Sequence, residues 1–273
     1  AHSSSVFFGV LLKFLQPQVQ LIWHDHYGNS EMLDQRPVLA LKMASLFVSK
    51  IIAVNFKLKN WAQEKLFCAR VVFLPNFTSI SSDNPEKITY LKGIEGKRIV
   101  CLANLRPQKN HLLLLQIAKE IHKTHPDWSF HLVGKDFEDS YSNNLKTEIV
   151  ALGLAEVVFI YGSRDDIPFI LAQSTIGVLT SESEGLPIAI LEYGLHKLPV
   201  ISTRVGEIPS VITDKEGVLI SSNDSCNFVL SLRKMIDDEM MRLTFAANLH
   251  NKITQNYSED AVIKLYLKWI NEN

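Results

Sequence analysis

Residues 176–203 read IGVLTSESEGLPIAILEYGLHKLPVIST. The apolar run IGVLTS predicts a buried strand. PIAILEYGLHK predicts a helix opening on Pro187, whose fixed φ and missing N–H suit a first helical turn. A second apolar run, LPVIST, follows directly. Strand, loop, helix and strand in that order make a βαβ unit, which sets its two strands parallel in one sheet. Ligands of open α/β sheets lie beyond the carboxyl ends of the strands, so the loop Glu182–Leu186 faces a ligand crevice.

The alternation continues in both directions. RIVCLAN (98–104), SFHLVG (129–134) and VVFIYG (157–162) precede this unit, and GVLIS (217–221) follows it. With helices between them, for instance at 110–123 and 187–196, these six runs complete a doubly wound domain. Farther toward the start, VQLIWH (19–24), KIIAVN (50–55) and RVVFLP (70–75), with helical segments at 37–48 and 57–67, supply about half of another. The expected organisation is α/β with parallel sheets: a partial domain over 1–78, a polar, turn-rich linker over 79–97, and a complete domain over 98–257. An amphipathic helix over 258–273 carries apolar Val262, Leu265, Leu267 and Ile270.

Composition narrows the function. Lys and Arg number 28 against 29 Asp and Glu, which gives no overall attraction to nucleic acid, and no nucleic-acid partner is expected. Between Lys42 and Arg70 six basic residues face one acid, Glu64, which reads as a solvated helix face or as a weak membrane-surface patch. Cys68, Cys101 and Cys226 are odd in number and far apart. They form neither a disulfide framework nor a CxxC metal site, so a reducing compartment is expected. The segment SSVFFGVLLKFLQPQVQLIW is interrupted by Lys13 and Pro17, too soon to cross a bilayer, and reads as a buried helix followed by a strand.

Glu184 precedes the helix start at Pro187 and Glu192 lies about one and a half turns inside it. Backbone amides of Gly185, Leu186, Ile188 and Ala189 are the available donors at that helix mouth, a natural place for phosphate, and Gly185 admits close backbone approach. Two carboxylates around an anion-binding helix end suit a ligand with a diphosphate and vicinal hydroxyls, the outline of a nucleotide sugar. The alternative is that Glu182 and Glu184 complement the helix dipole and Glu192 is solvated. Two further strand ends point the same way: ANLRPQKNH brings Asn104, Arg106 and Lys109, and IYGSRDD brings Gly162, Ser163 and Arg164. An Arg and a Lys supply the counter-charge that a diphosphate requires.

On these residues the chain resembles retaining glycosyltransferases of the GT-B fold, in glycosyltransferase family 4. SESEGLPIAILEYGLHKLPVISTRVGEIPSVI is similar to the family's E-x7-E region, NLRPQKNH to its phosphate-contacting loop, and YGSRDDIPFILAQSTIGVLTS to its approach to the donor. The resemblance implies two Rossmann-like domains, the first incomplete, with the last helix packing back toward it. It also implies roles: Glu184 on the donor sugar's hydroxyls, amides of Gly185 to Ala189 on sugar and phosphates, Glu192 on the ribose, Lys109 on the diphosphate, Arg164 beside the nucleobase. No metal and no cofactor are expected. The family's usual Arg falls at Asn104, with Arg106 two positions later as its substitute. LIWHDHYG resembles a strand end where the family often has a His near the reacting sugar; His24 matches best, His26 is the alternative, and Asp25 reads equally as turning the loop. The family's opening strand and glycine-rich loop have no counterpart, since AHSSSVFF already resembles a mid-domain segment, and a fragment is expected.

The implied activity is transfer of a sugar from a UDP- or GDP-sugar to a glycan or lipid-linked acceptor in cell-surface polysaccharide or glycolipid synthesis. The implied place is the cytoplasm, peripheral to the inner face of the plasma membrane. Two other readings stay open: a non-catalytic nucleotide-sugar-binding module, and a sugar-nucleotide epimerase of the same architecture.

Overall fold

A computed structural model describes residues 5–27, 33–78 and 87–271. The chain divides into two units, one made of residues 1–77 with 259–273 and the other of 78–258. In the first, helix α1 (Val6–Leu15) leads to strand β1 (Ile22–Asp25), α2 (Val38–Ser45), β2 (Lys50–Ala53), α3 (Phe56–Lys65) and β3 (Val71–Phe73). The three strands form a parallel sheet in the order β1-β2-β3. Every residue of β2 is buried, as a central parallel strand covered on both faces requires.

Strand β1 starts later than the sequence suggests, because the Lys13 ammonium holds the carbonyl of Val19, at 2.7 Å, in an exposed turn. Strand β2 stops earlier, because Asn55 leaves the ladder to cap α3 by accepting from the Leu58 amide at 2.8 Å. Helix α1 corrects the expectation of a buried helix. Only Val6 and Gly9 are buried, while Phe7, Phe8, Leu11, Leu12, Phe14 and Leu15 are exposed. The helix meets α2, and the Phe14 ring lies 4.8 Å from that of Phe47.

The second unit holds β4 (Arg98–Leu102), α4 (His111–His122), β5 (Ser129–Val133), α5 (Ser140–Ala151), β6 (Val158–Gly162), α6 (Ile167–Ala172), β7 (Ile176–Leu179), α7 (Ile188–Leu195), β8 (Val200–Thr203), α8 (Ile208–Val211), β9 (Gly217–Ile220), α9 (Ser225–Asp237) and α10 (Glu239–Asn256). All six strands are parallel, in the order β6-β5-β4-β7-β8-β9. The chain moves outward from β4 to β6, then returns to lay β7 against β4's other side. That reversal opens a crevice at the carboxyl ends of β4 and β7.

Of the expected linker, residues 79–86 lie outside the described residues. Residues 87–97 are bonded into the second unit. The Asp166 carboxylate accepts from the amide and hydroxyl of Thr89, Gln173 accepts from the Leu91 amide, and the Tyr161 hydroxyl accepts from the Lys92 amide. Polar side chains at β6 and α6 thus take up this segment's backbone donors, and Leu91 enters the core. The last helix, α11 (Glu259–Asn271), belongs to the first unit. Its terminal carbonyls, on Trp269 and Ile270, are held at 2.9 and 2.8 Å by the buried Lys50 ammonium, a cationic C-cap.

Candidate functional site

The loops that follow β4 and β7 are strapped together through the backbone. The Glu182 amide donates to the Gln108 carbonyl at 2.9 Å, and the buried Thr180 hydroxyl reaches the carbonyls of Lys109 and Asn110. Asn110 is left-handed (φ 49°), a conformation Asn tolerates, and its side chain caps α4. Between the loops opens a cleft of about 340 Å³ whose lining includes Asn104, Lys109, Gly134, Ile188, Ala189 and Glu192. Five of the sequence-predicted residues therefore share one cleft. At its floor a Cβ on Gly134 would sit 2.2 Å from the Ala103 carbonyl oxygen, so only glycine lets the ends of β4 and β5 approach this closely.

Lys109 and Glu184 meet directly. One carboxylate oxygen of Glu184, Oε1, accepts from Lys109 Nζ at 2.6 Å and from Ser181 Oγ at 2.6 Å. Glu184 is buried there. Its main chain is fixed by a second contact: Gly206, at φ 56°, lies so close that a Cβ would fall 1.8 Å from the Glu184 carbonyl oxygen. The neighbouring Glu207 amide donates to the Gly185 carbonyl at 3.1 Å.

Helix α7 presents the rest. Pro187 is its N-cap, and the first-turn amides of Ile188 and Ala189 have no acceptor within the helix. Gly185 is exposed at the helix mouth, whereas Leu186 is buried in the core. Glu192 is half-buried, bonds to no other described side chain, and has its carboxyl pKa raised by burial. It also borders a smaller cavity of about 150 Å³, shared with Asp165 and His196. Helix α7 is pinned to the sheet by Tyr193, whose buried hydroxyl accepts from the Leu102 amide at 2.7 Å and lies 3.2 and 3.3 Å from the carbonyls of Val100 and Val178. Gly177 on β7 makes room for that ring, since a Cβ there would stand 2.7 Å from it.

Other predicted residues lie elsewhere. Asn104 lines the cleft, but its side-chain oxygen is engaged by the Lys135 amide at 2.8 Å. Arg106 is outside the lining, stacked 4.5 Å over the ring of Phe137. Arg164 donates to the Ser163 carbonyl and borders a separate cavity of about 770 Å³ together with Lys87, Tyr90 and Tyr161. His24 belongs to the first unit, on β1, with its ring 6.0 Å from that of Tyr266 and 6.4 Å from that of His26. Asp25 forms a fully buried two-pronged ion pair with Arg36, at 2.7 and 2.8 Å, and the guanidinium lies against the rings of Tyr27 and Trp61. Among the described residues no group of His, Cys, Asp and Glu side chains is arranged to hold a metal ion. No helix of the described residues is long and apolar enough to cross a membrane.

Sequence reasoning missed Ser181, Gly134, Gly206 and Tyr193. Ser181, three residues before Glu184, carried a readable signal; the other three act through contacts between distant segments.

The family model for glycosyl transferases group 1 matches residues 86–256. The chain is 32% identical over 177 residues to a UDP-Gal:alpha-D-GlcNAc-diphosphoundecaprenol alpha-1,3-galactosyltransferase of Escherichia coli, covering 62% of this chain and 45% of that protein. It is 22% identical over 170 residues to the lipopolysaccharide core biosynthesis mannosyltransferase LpcC of Rhizobium leguminosarum, covering 61% and 48%. The chain thus spans about half the length of these curated relatives. Among solved structures, HepE of Anabaena in complex with UDP superposes with a TM-score of 0.81 at 18% identity, over 99% of this chain and 77% of that one. A TarM mutant of S. aureus, solved with UDP among its ligands, gives 0.73 at 17% identity, over 97% and 54%. These likenesses establish the fold as GT-B.

Proposed function

The chain belongs to the glycosyl transferases group 1 family, and from that premise we propose that the protein moves a sugar from a UDP-sugar to a glycan or lipid-linked acceptor. The observation that carries the reading is one cleft that gathers Lys109, Glu192, whose carboxylate bonds to no other described side chain, and the first-turn amides of α7. Lys109 is a point charge suited to a diphosphate, and the positive end of α7 adds to it. Glu192 offers an anionic acceptor for the ribose hydroxyls, and Glu184 one for the hydroxyls of the sugar. Charge growing on the departing diphosphate is held by Lys109 and the helix amides, which gives stabilisation specific to the transition state. The reading therefore calls for no metal. Retention at the anomeric carbon is part of the proposal, as the resemblance of the Glu184–Glu192 region implies.

Uridine is favoured over guanosine because UDP is named in the complexes of HepE and TarM and in the donor of the Escherichia coli relative. A diphospho-lipid or lipopolysaccharide-type acceptor is supported by the names of the curated relatives. Such an acceptor is in keeping with a place at the cytoplasmic membrane face and a role in cell-surface glycan synthesis. His24 is proposed as a catalytic residue, as the resemblance of LIWHDHYG implies, and His24→Ala should lower turnover without changing UDP affinity.

The test is incubation of the protein with radiolabelled UDP-sugars and a diphospho-lipid acceptor. Label entering the acceptor is the expected result. Binding of nucleotide without turnover would favour the non-catalytic module, and an epimerised nucleotide sugar formed without acceptor would favour the epimerase. A folded protein that binds no nucleotide defeats the proposal.

A further inference from the structure

Lys109 is the one cation lining the cleft among the described residues, and it is already paired. Its partner is Glu184, so the group suited to a diphosphate and the group suited to the sugar hydroxyls are bonded to each other at 2.6 Å. The two partners differ in burial and in how they are held. The Glu184 side chain is 6% exposed against 21% for Lys109. Glu184 is also held by Ser181, and the Ser181 carbonyl accepts from the buried Thr203 hydroxyl at 2.6 Å. Lys109 has its main chain strapped by Thr180, but among the described residues its side chain bonds to Glu184 alone. Glu184 is thus the more tightly held partner and the Lys109 side chain the more accessible one.

We propose that this pair is a latch that distinguishes a loaded donor from a spent nucleotide. The inference rests on reading the cleft as the nucleotide-sugar site. A nucleoside diphosphate that draws Lys109 to itself leaves a buried carboxylate with only the Ser181 hydroxyl, and a buried charge stripped of its partner is costly. An intact donor draws Lys109 away as well, but its sugar brings hydroxyls that donate to Glu184 in replacement. Once the sugar has been transferred those hydroxyls leave with the acceptor. Glu184 then competes with the diphosphate for Lys109 and helps expel it. The pair thus weakens binding of the product more than binding of the substrate.

The test is calorimetric titration of the whole protein with UDP, comparing wild type, Glu184→Gln, Lys109→Gln and the double variant. GDP and ADP serve as probes if wild type prefers one of them. Removing the competing carboxylate should tighten UDP binding about tenfold, the equivalent of 1.4 kcal/mol. The gain should vanish when Lys109 is already Gln. Should Glu184→Gln fail to fold, Glu184→Ala breaks the same pair and must show the same gain. UDP affinity that is unchanged or weaker in a folded Glu184 variant, with wild type binding normally, overturns the latch and leaves the donor site standing. A gain that persists without Lys109 also overturns it. A wild-type protein that binds no nucleotide overturns both the latch and the donor site beneath it.

Discussion

Replacing Glu192 by Gln should move stability and function in opposite directions. The carboxylate is half-buried and bonds to no other described side chain, and burial raises its pKa above the ordinary 4.5. A carboxyl whose pKa is higher folded than unfolded stabilises the fold fully only below the unfolded value, and that stabilisation is lost as pH rises through the folded one. At pH 7.5 the wild type therefore holds an ionised group that its surroundings disfavour, and Gln, neutral at every pH, relieves it. Thermal unfolding at pH 7.5 should show a higher Tm for Glu192→Gln, with the advantage shrinking toward pH 4. Nucleotide binding should respond the other way. Two ribose hydroxyls would exchange bonds to an anion for bonds to a neutral amide, each losing about 1 to 1.5 kcal/mol. The sum, about 2 to 3 kcal/mol, predicts UDP binding 30- to 150-fold weaker. Calorimetry with UDP and 2′-deoxy-UDP reads this directly, since the variant should discriminate poorly between the two. A variant that binds UDP as wild type does, or that melts at a lower temperature at pH 7.5, refutes the reasoning.

Three further outcomes are expected. Tyr193→Phe leaves the Leu102 amide without its 2.7 Å acceptor in the core beneath the site, and chemical denaturation should show a loss of about 1 to 3 kcal/mol. Gly206→Ala sets a Cβ against the Glu184 carbonyl in a left-handed turn. The conformation alone costs about 1 to 2 kcal/mol, so the Tm should fall in thermal unfolding, and an unchanged Tm would count against the close approach of this turn to the Glu184 main chain. Burial lowers the pKa of His131 to about 3 and that of His111 to about 4, from an ordinary 6.5. Both stay neutral in the fold while the unfolded chain protonates below 6.5, so stability should decline from pH 6.5 toward 4 at roughly 1.4 kcal/mol per pH unit for each. In pH-dependent denaturation His131→Gln should flatten that slope, and an unaltered slope would count against it.

The elements that the sequence made legible are those set by local pattern. Each parallel strand of the second unit is a short apolar run between turn residues, and five or six residues suffice to read it. The Glu184–Glu192 spacing was readable for the same reason, since a helix start and a fixed number of residues determine where both lie. Extent was harder. The apolar run of α1 expresses a preference of the side chains for burial, but burial also requires a neighbour, which the run itself does not supply, and the helix is largely exposed. Arg106 was placed by analogy of charge, whereas in the fold the ring of Phe137, thirty-one positions along the chain, offers the guanidinium a flat face.

The Lys109–Glu184 pair marks the boundary between what sequence could and could not yield. Both residues were read as ligand contacts, one for phosphate and one for sugar, because each was judged by the chemistry of its own side chain. Their joint behaviour depends on a relation that neither local segment contains. The strap from Thr180 and Glu182 to residues 108–110 brings two strand ends together, and only then does a cation find a fixed carboxylate within 2.6 Å. The charge required for the diphosphate is held in reserve by the group required for the sugar, so binding one part of the donor prepares the site for the other.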